Sequence, residues 1–226
     1  MSWYSDREGN KGRMLPTDVE FYRYFKKVPN RMLNTGSLAG GIATIDPKRI
    51  WCCDIDKEVI KNAKKSGMHA DYVDLNTRTP YNDNFFDAVY SYGVLEHLKN
   101  TENALKEFYR ILKPNGRLVL CVPDIQKIKW RFWEGYDHFS PITKYSLNQL
   151  AYIAGFRKYT IKDQVRRFKG MNRLIRKGIM SPDRVLFIQN VLYLLRIRDP
   201  EMIVLEAVKP MDKSIVFTVP PCQLPV

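Results

Sequence analysis

Residues 74–124 read DLNTRTPYNDNFFDAVYSYGVLEHLKNTENALKEFYRILKPNGRLVLCVPD. FFDAVYSY (85–92) is a β-prone run. ENALKEFYRIL (102–112) places Ala104, Leu105, Phe108, Ile111 and Leu112 on one helical face. KPNG (113–116) stops that helix and turns the chain. RLVLCVP (117–123) is an almost continuous apolar run, as expected of a strand buried on both faces of a parallel sheet. Strand, helix and strand in this order predict a parallel sheet covered by helices.

The same alternation continues outward. Upstream, RML (31–33) is a short strand, RIWCCDI (49–55) a second and ADYVDL (70–75) a third. KEVIKNAKKSG (57–67) between them is a helix stopped by Gly67. TDVEFYRYFKK (17–27) reads as a helix, with Thr17 and Glu20 in capping-box spacing after Pro16. Downstream, SLNQLAYIAGF (146–156) is a helix, RKYTIKD (157–163) a sixth strand and EMIVLEAVK (201–209) the last. Residues 164–200 read as a helical insertion between strands that would otherwise be adjacent. The expected fold is α/β: a doubly wound, mostly parallel, seven-stranded Rossmann-like sheet with a helical insertion before the last strand. It forms a single domain over 1–226. The core is about 17–163 and 201–209, the basic insertion is 164–200 and the tail is 210–226.

The first strand leads into NTGSLAGG (34–41). In a doubly wound sheet, ligands bind beyond the carboxyl ends of the strands, near the topological switch point. Gly36 would allow a sharp turn there, and Gly40 a close approach of backbone to ligand. By itself the loop is better explained by an ordinary glycine turn. Leu38 replaces the second glycine of G-x-G-x-x-G, which argues against a nicotinamide dinucleotide. Gly41 to Pro47 leaves room for barely one helical turn, whereas a pyrophosphate needs a helix N-terminus. A ligand without phosphates suits the loop better. Asp54, 18 residues after Gly36, ends the second strand, where a carboxylate can accept hydrogen bonds from both ribose hydroxyls of an adenosine. Asp74 can reach an adenine amino group by the same logic. Asp54 could instead cap the helix that follows in DIDKE.

Composition narrows the classes. Hydrophobic residues are 45% of the 226, which excludes an intrinsically disordered chain. Cys52, Cys53, Cys121 and Cys222 form no C-x-x-C pair, and three lie in apolar strand-like runs. Buried free thiols in a reducing compartment are expected, with no disulfide and no metal. The N-terminal residues contain no apolar signal-peptide core, and no apolar run reaches the roughly 18 residues of a membrane span. These features predict a cytoplasmic protein. The formal charge of +13 is concentrated: residues 157–198 hold twelve Lys and Arg against Asp163 and Asp183, a net +10. Such a patch is either a solvated face or a surface for an anionic partner or membrane.

The stretch 74–124 closely resembles class I S-adenosylmethionine-dependent methyltransferases of the type 11 group. In that family an (A/E)DLxxLPFxDxSFDxVxSxxVLEHL block precedes a helix and then RxLKPGGxLxxxVPD. Asp74-Leu75, Phe86-Asp87, Ser91, Val94-Leu95-Glu96-His97, Leu112-Lys113-Pro114 and Gly116 fall in step with it. MLNTGSLAGG…CCDID resembles a subset with a short LNxGSG…VDI loop, in which Asn34 stands where an acidic residue is usual. The resemblance implies S-adenosyl-L-methionine as cofactor. It places Asn34, Gly36, Ser37 and Gly40 around the amino-acid part of that cofactor. It places Asp54 and Ile55 at the ribose and adenine, Asp74 and Leu75 at the adenine, and Ser91 beside the methionine portion. Leu38 departs from the pattern. The subset is met among enzymes of surface-glycan and lipid-linked sugar synthesis, which implies a small-molecule, sugar or lipid-linked acceptor.

Methyl transfer from a sulfonium is an in-line displacement, so the protein chiefly supplies alignment and desolvation. A hydroxyl acceptor also needs a base, and histidine is suited to that role. Of the three histidines, His69 lies before the third strand, away from the cleft. His138, in WEGYDHFSP after the fifth strand, is the first candidate base, and His97 the second. Trp130, Phe132 and Trp133 precede it as lid packing or acceptor wall. Two other readings stand beside the enzyme. Leu38 and the short loop fit a catalytically silent binding protein. The charge fits a nucleic-acid methyltransferase, although SYGVLE replaces an NPPY-type motif after the fourth strand.

Overall fold

A computed structural model describes residues 21, 23–25, 27–36, 42, 45–164, 179–181, 184, 187, 188, 190–192, 195 and 201–211. Seven strands form one sheet: β1 (Met32–Thr35), β2 (Ile50–Asp54), β3 (His69–Tyr72), β4 (Phe86–Tyr92), β5 (Leu112–Pro123), β6 (Lys158–Gln164) and β7 (Met202–Val208). Their spatial order is β3-β2-β1-β4-β5-β7-β6. The first five are mutually parallel, and β7 runs antiparallel between β5 and β6. This is the doubly wound, mostly parallel sheet expected from the sequence. Chain order reverses between β1 and β4, so the crevice at their carboxyl ends is the natural ligand site.

Helices α1 (Lys57–Lys65), α2 (Thr101–Ile111), α3 (Ile125–Ile128) and α4 (Lys144–Ala154) start at side-chain caps: Asp56, Asn100, Asp124 and Thr143 respectively. At α4, Thr143 and Ser146 form a reciprocal capping box. Gly155, at φ +111°, ends that helix in a left-handed conformation. One apolar layer joins β1, β4 and β5 to α2 and α4 through Leu33, Val89, Leu105, Phe108, Leu118 and Leu147. The other face packs Phe21, Phe25, Met32, Ile50, Tyr90 and Val119.

Two local expectations are corrected. The fifth strand begins at Leu112, not Arg117. Phe86 pairs with Leu112 and Ala88 with Arg117, so 113–116 is a bulge inside the strand. Asn115 takes a positive φ there, and main-chain bonds between Asn115 and Lys209 and between Lys209 and Gly116 hold it. Asp54 does not cap α1; Asp56 does, accepting from the amides of Glu58 and Val59.

The helix expected over 17–27 is described at Phe21, Arg23 and Tyr24, all helical. Most of the expected insertion at 164–200, with the basic run Arg166 to Lys177, lies outside the described residues. So do the tail beyond Met211 and the loop residues Ser37, Leu38 and Gly40. No helix among the described residues is long and apolar enough to cross a membrane.

Candidate functional site

A cavity of about 650 Å³ opens at the carboxyl ends of β1, β2 and β4, within the usual range for a small-molecule site. Its walls bring together Asn34, Gly36, Asp54, Ile55, Asp74, Leu75 and His97 from the sequence-based set. Ser91 and His138 do not line it.

Gly36 makes the turn out of β1. Its φ is +60°, and its amide donates to the Cys53 carbonyl at 2.9 Å. A Cβ built there would lie 2.4 Å from Val94 Cγ2. The turn therefore needs glycine twice, for the dihedral and for the close packing. Asp54 Oδ1 accepts from the Asp56 amide at 3.0 Å, which fixes the carboxylate at the end of β2. Asp74 Oδ1 accepts from both the amide and the side-chain nitrogen of Asn76, each at 2.9 Å. Asn76 Oδ1 in turn accepts from the amides of Lys99 and Asn100 at 2.9 and 3.0 Å. Asn76 thus ties the Asp74 turn to the start of α2, a role the sequence reading missed.

The cavity's charged walls hold Asp54, Asp56, Asp74 and Asp137 against Lys57. Such a lining disfavours phosphate and favours a ligand carrying hydroxyls, amines or a cation. Two buried hydroxyls, Thr35 Oγ1 and Ser91 Oγ, lack a hydrogen-bond partner within the described residues. They sit on paired residues at the ends of β1 and β4. A buried orphan hydroxyl is costly, so this pair marks a place where a polar ligand or water would be accommodated. Cys53 also lines the cavity, but burial raises its thiol pKa strongly, so it is a packing group and not a nucleophile.

The acceptor side is formed by a loop that returns from far along the chain. The amides of Phe139 and Ser140 donate to the Glu96 carbonyl at 2.8 and 3.0 Å, and Ser140 Oγ donates to the Leu98 carbonyl at 2.6 Å. This docking adds Tyr136, Asp137 and Phe139 to the cavity wall. It sets the His97 and His138 rings 4.8 Å apart. His97 Nδ1 lies 3.1 Å from the Asp137 carbonyl and 3.2 Å from Asp137 Oδ2. Burial lowers the His97 pKa, and the Asp137 charge opposes that shift without cancelling it. His138 stands behind His97, its Nδ1 2.7 Å from the Phe132 carbonyl. Phe132 is fully buried, whereas Trp130, Trp133 and Tyr136 are exposed, and of these only Tyr136 lines the cavity. His69 begins β3 at its other end and stacks on Trp51. Tyr90, Tyr92, Gly93 and Val94 complete the wall. The first two lie in a strand the sequence revealed, but strand periodicity does not say which residues border a cavity.

Residues 33–120 match the family model described as Methyltransferase domain. The ubiquinone/menaquinone biosynthesis C-methyltransferase of Rickettsia felis is 28% identical over 141 residues, covering 53% of this chain and 54% of that protein. A human protein described as a probable tRNA methyltransferase 9B is 32% identical over 101 residues, covering 43% of this chain and 22% of its own. The chain thus spans about half or less of the length of these curated relatives. A solved S-adenosylmethionine-dependent methyltransferase from Archaeoglobus fulgidus superposes with a TM-score of 0.67 at 18% identity, covering 92% of this chain and all of that one. Residues 33–120 thus resemble a methyltransferase domain, and the fold is the one shared with the Archaeoglobus fulgidus protein.

Proposed function

We propose that this chain transfers a methyl group from S-adenosyl-L-methionine to a small molecule, a sugar or a lipid-linked intermediate. The observation that carries the reading is the cavity at the β1/β4 switch point, with Asp54 and Asp74 fixed in its walls and no basic cradle for phosphate among the described residues. S-adenosyl-L-methionine, when bound, supplies a methyl group already activated on a sulfonium. The chain's own residues do the rest. Asp54 accepts the ribose hydroxyls, with Ile55 against the adenine. Asp74 and Leu75 hold the adenine edge. The Gly36 turn, with Asn34, Ser37 and Gly40, receives the amino-acid end, and the Ser91 hydroxyl lies on the methionine side. The acidic lining favours the cation of the cofactor over its neutral product. Phe139 and Tyr136 border the acceptor side, where alignment and desolvation supply most of the acceleration. For a hydroxyl acceptor, His97 at the wall or His138 behind it takes the proton; the geometry favours His97 over the sequence-based order. The basic segment 164–200 suits a phosphate-bearing acceptor or an anionic membrane surface.

A second reading, an RNA acceptor, is motivated by the net charge of +13. The test is incubation with methyl-labelled S-adenosyl-L-methionine and cell extract separated into small-molecule, lipid and RNA fractions. Label in the small-molecule or lipid fraction supports the proposal. Label confined to RNA moves the assignment to the second reading. No label anywhere, with the cofactor bound, favours a silent binding protein.

A further inference from the structure

The loop that closes the acceptor side brings Glu96, which the methyl-transfer reading does not use, together with the two histidines offered there as bases. Glu96, His97 and His138 each offer a ligand atom within 4.8 Å of the other two. Glu96 is only 4% exposed. Each ring already has an oxygen partner at Nδ1. His97 meets Asp137 through Nδ1, and His138 meets the Phe132 carbonyl through Nδ1. In each neutral ring, Nδ1–H donates to its oxygen partner, so Nε2 carries the lone pair. A carboxylate or carbonyl behind a ligating histidine is the arrangement that fixes the tautomer and raises ligand basicity.

We propose that Glu96, His97 and His138 form a site for a divalent first-row transition metal of the zinc type. Two imidazoles with one carboxylate suit zinc or iron(II) and suit magnesium or calcium poorly, since those ions prefer all-oxygen shells. Bonds of about 2.0–2.2 Å place tetrahedral ligand atoms roughly 3.3–3.6 Å apart, so the trio must draw in by about an ångström. His138 is on a loop and has that freedom. Gly135 permits the ring's present position, since a Cβ there would meet three His138 ring atoms at 3.0 Å. Three protein ligands leave a coordination position open. His97 lies in the cavity wall, so on the methyltransferase reading that position faces the acceptor, and a hydroxyl, phenol or carboxylate oxygen could occupy it. A histidine ligated through Nε2 cannot also take the acceptor's proton. With metal bound, the two rings hold the ion and do not act as bases.

The test uses the full chain, stripped with a chelator and titrated with Co²⁺ alone, then with Zn²⁺ in competition. The expected result is one equivalent bound, with visible d–d bands of low-coordinate cobalt and no thiolate charge-transfer band. His138→Gln and Glu96→Gln should each weaken binding at least about 10-fold, and Asp137→Asn about 10–100-fold, as is usual for loss of an orienting partner. His69→Gln, at the far end of β3, should leave binding unchanged. Circular dichroism and S-adenosylhomocysteine titration of each variant separate loss of the ion site from loss of fold or of the cofactor site. No cobalt or zinc binding by the parent protein at 100-fold molar excess overturns the proposal, as does binding that survives both the His138 and Glu96 substitutions.

Discussion

Gly36→Ala should damage the fold and the cofactor site together, by an amount that follows from two separable costs. At φ +60° an L-residue carries about 1–2 kcal/mol of backbone strain. The new Cβ would also lie 2.4 Å from Val94 Cγ2. Valine is stiff about χ1 and packs against the main apolar layer, so it cannot simply rotate away. Overpacking of this sort costs typically 1–3 kcal/mol. The sum is about 2–5 kcal/mol, read as a lowered midpoint in urea at unchanged slope. A double-mutant cycle with Val94→Ala isolates the clash: the pair should recover roughly 1–3 kcal/mol of coupling, leaving the dihedral cost behind. Titration of S-adenosylhomocysteine into Gly36→Ala should show weakened binding, because Gly36 and Val94 both line the cavity. A Gly36→Ala protein within about 0.5 kcal/mol of the parent, which is the scatter of an inconsequential surface change, would refute both the turn geometry and the contact.

Three further outcomes are expected. Asp54→Ala should weaken S-adenosyl-L-methionine binding by about 1–3 kcal/mol, the range for hydrogen bonds to a charged group; unchanged affinity in a folded variant removes Asp54 from the site. With a hydroxyl acceptor, His97→Ala should lower turnover by ~10²–10⁴, because His97 is the histidine in the cavity wall; full activity in a folded variant would exclude it as the base. Burial pushes the Glu107 pKa up, but hydrogen bonds from Arg110 and Thr79 outweigh it and hold the carboxyl below its ordinary value of 4.5. Its contribution to stability is therefore complete above about pH 4.5 and lost as pH falls through the lower folded value, so Glu107→Gln should flatten the acid limb of a stability–pH curve; an unaltered limb would show that the pair with Arg110 is inconsequential.

The sheet was legible because its signals are local. Alternating strands and amphipathic helices identified seven strands, and the apolar run at 117–123 marked a strand buried on both faces. The bulge at 113–116 was not legible, since its stability comes from Lys209, more than ninety residues later. DIDKE offered two carboxylates for one cap, and only the fold separates Asp56 at the helix from Asp54 at the cavity. The acceptor side was the least legible part. Glu96 and His97 are neighbours in sequence, but His138 joins them only because the amides of residues 139 and 140 dock on the Glu96 carbonyl. No periodicity encodes such a loop contact, so the sequence named the two histidines as candidate bases and Glu96 as part of a motif without bringing the three together.

Isothermal titration of the full chain with S-adenosyl-L-methionine tests the central claim most directly. One molar equivalent should bind, S-adenosylhomocysteine should compete for the same site, and NAD should not displace it. Absence of detectable binding at millimolar ligand, by a protein whose circular dichroism shows the α/β fold intact, would contradict the account.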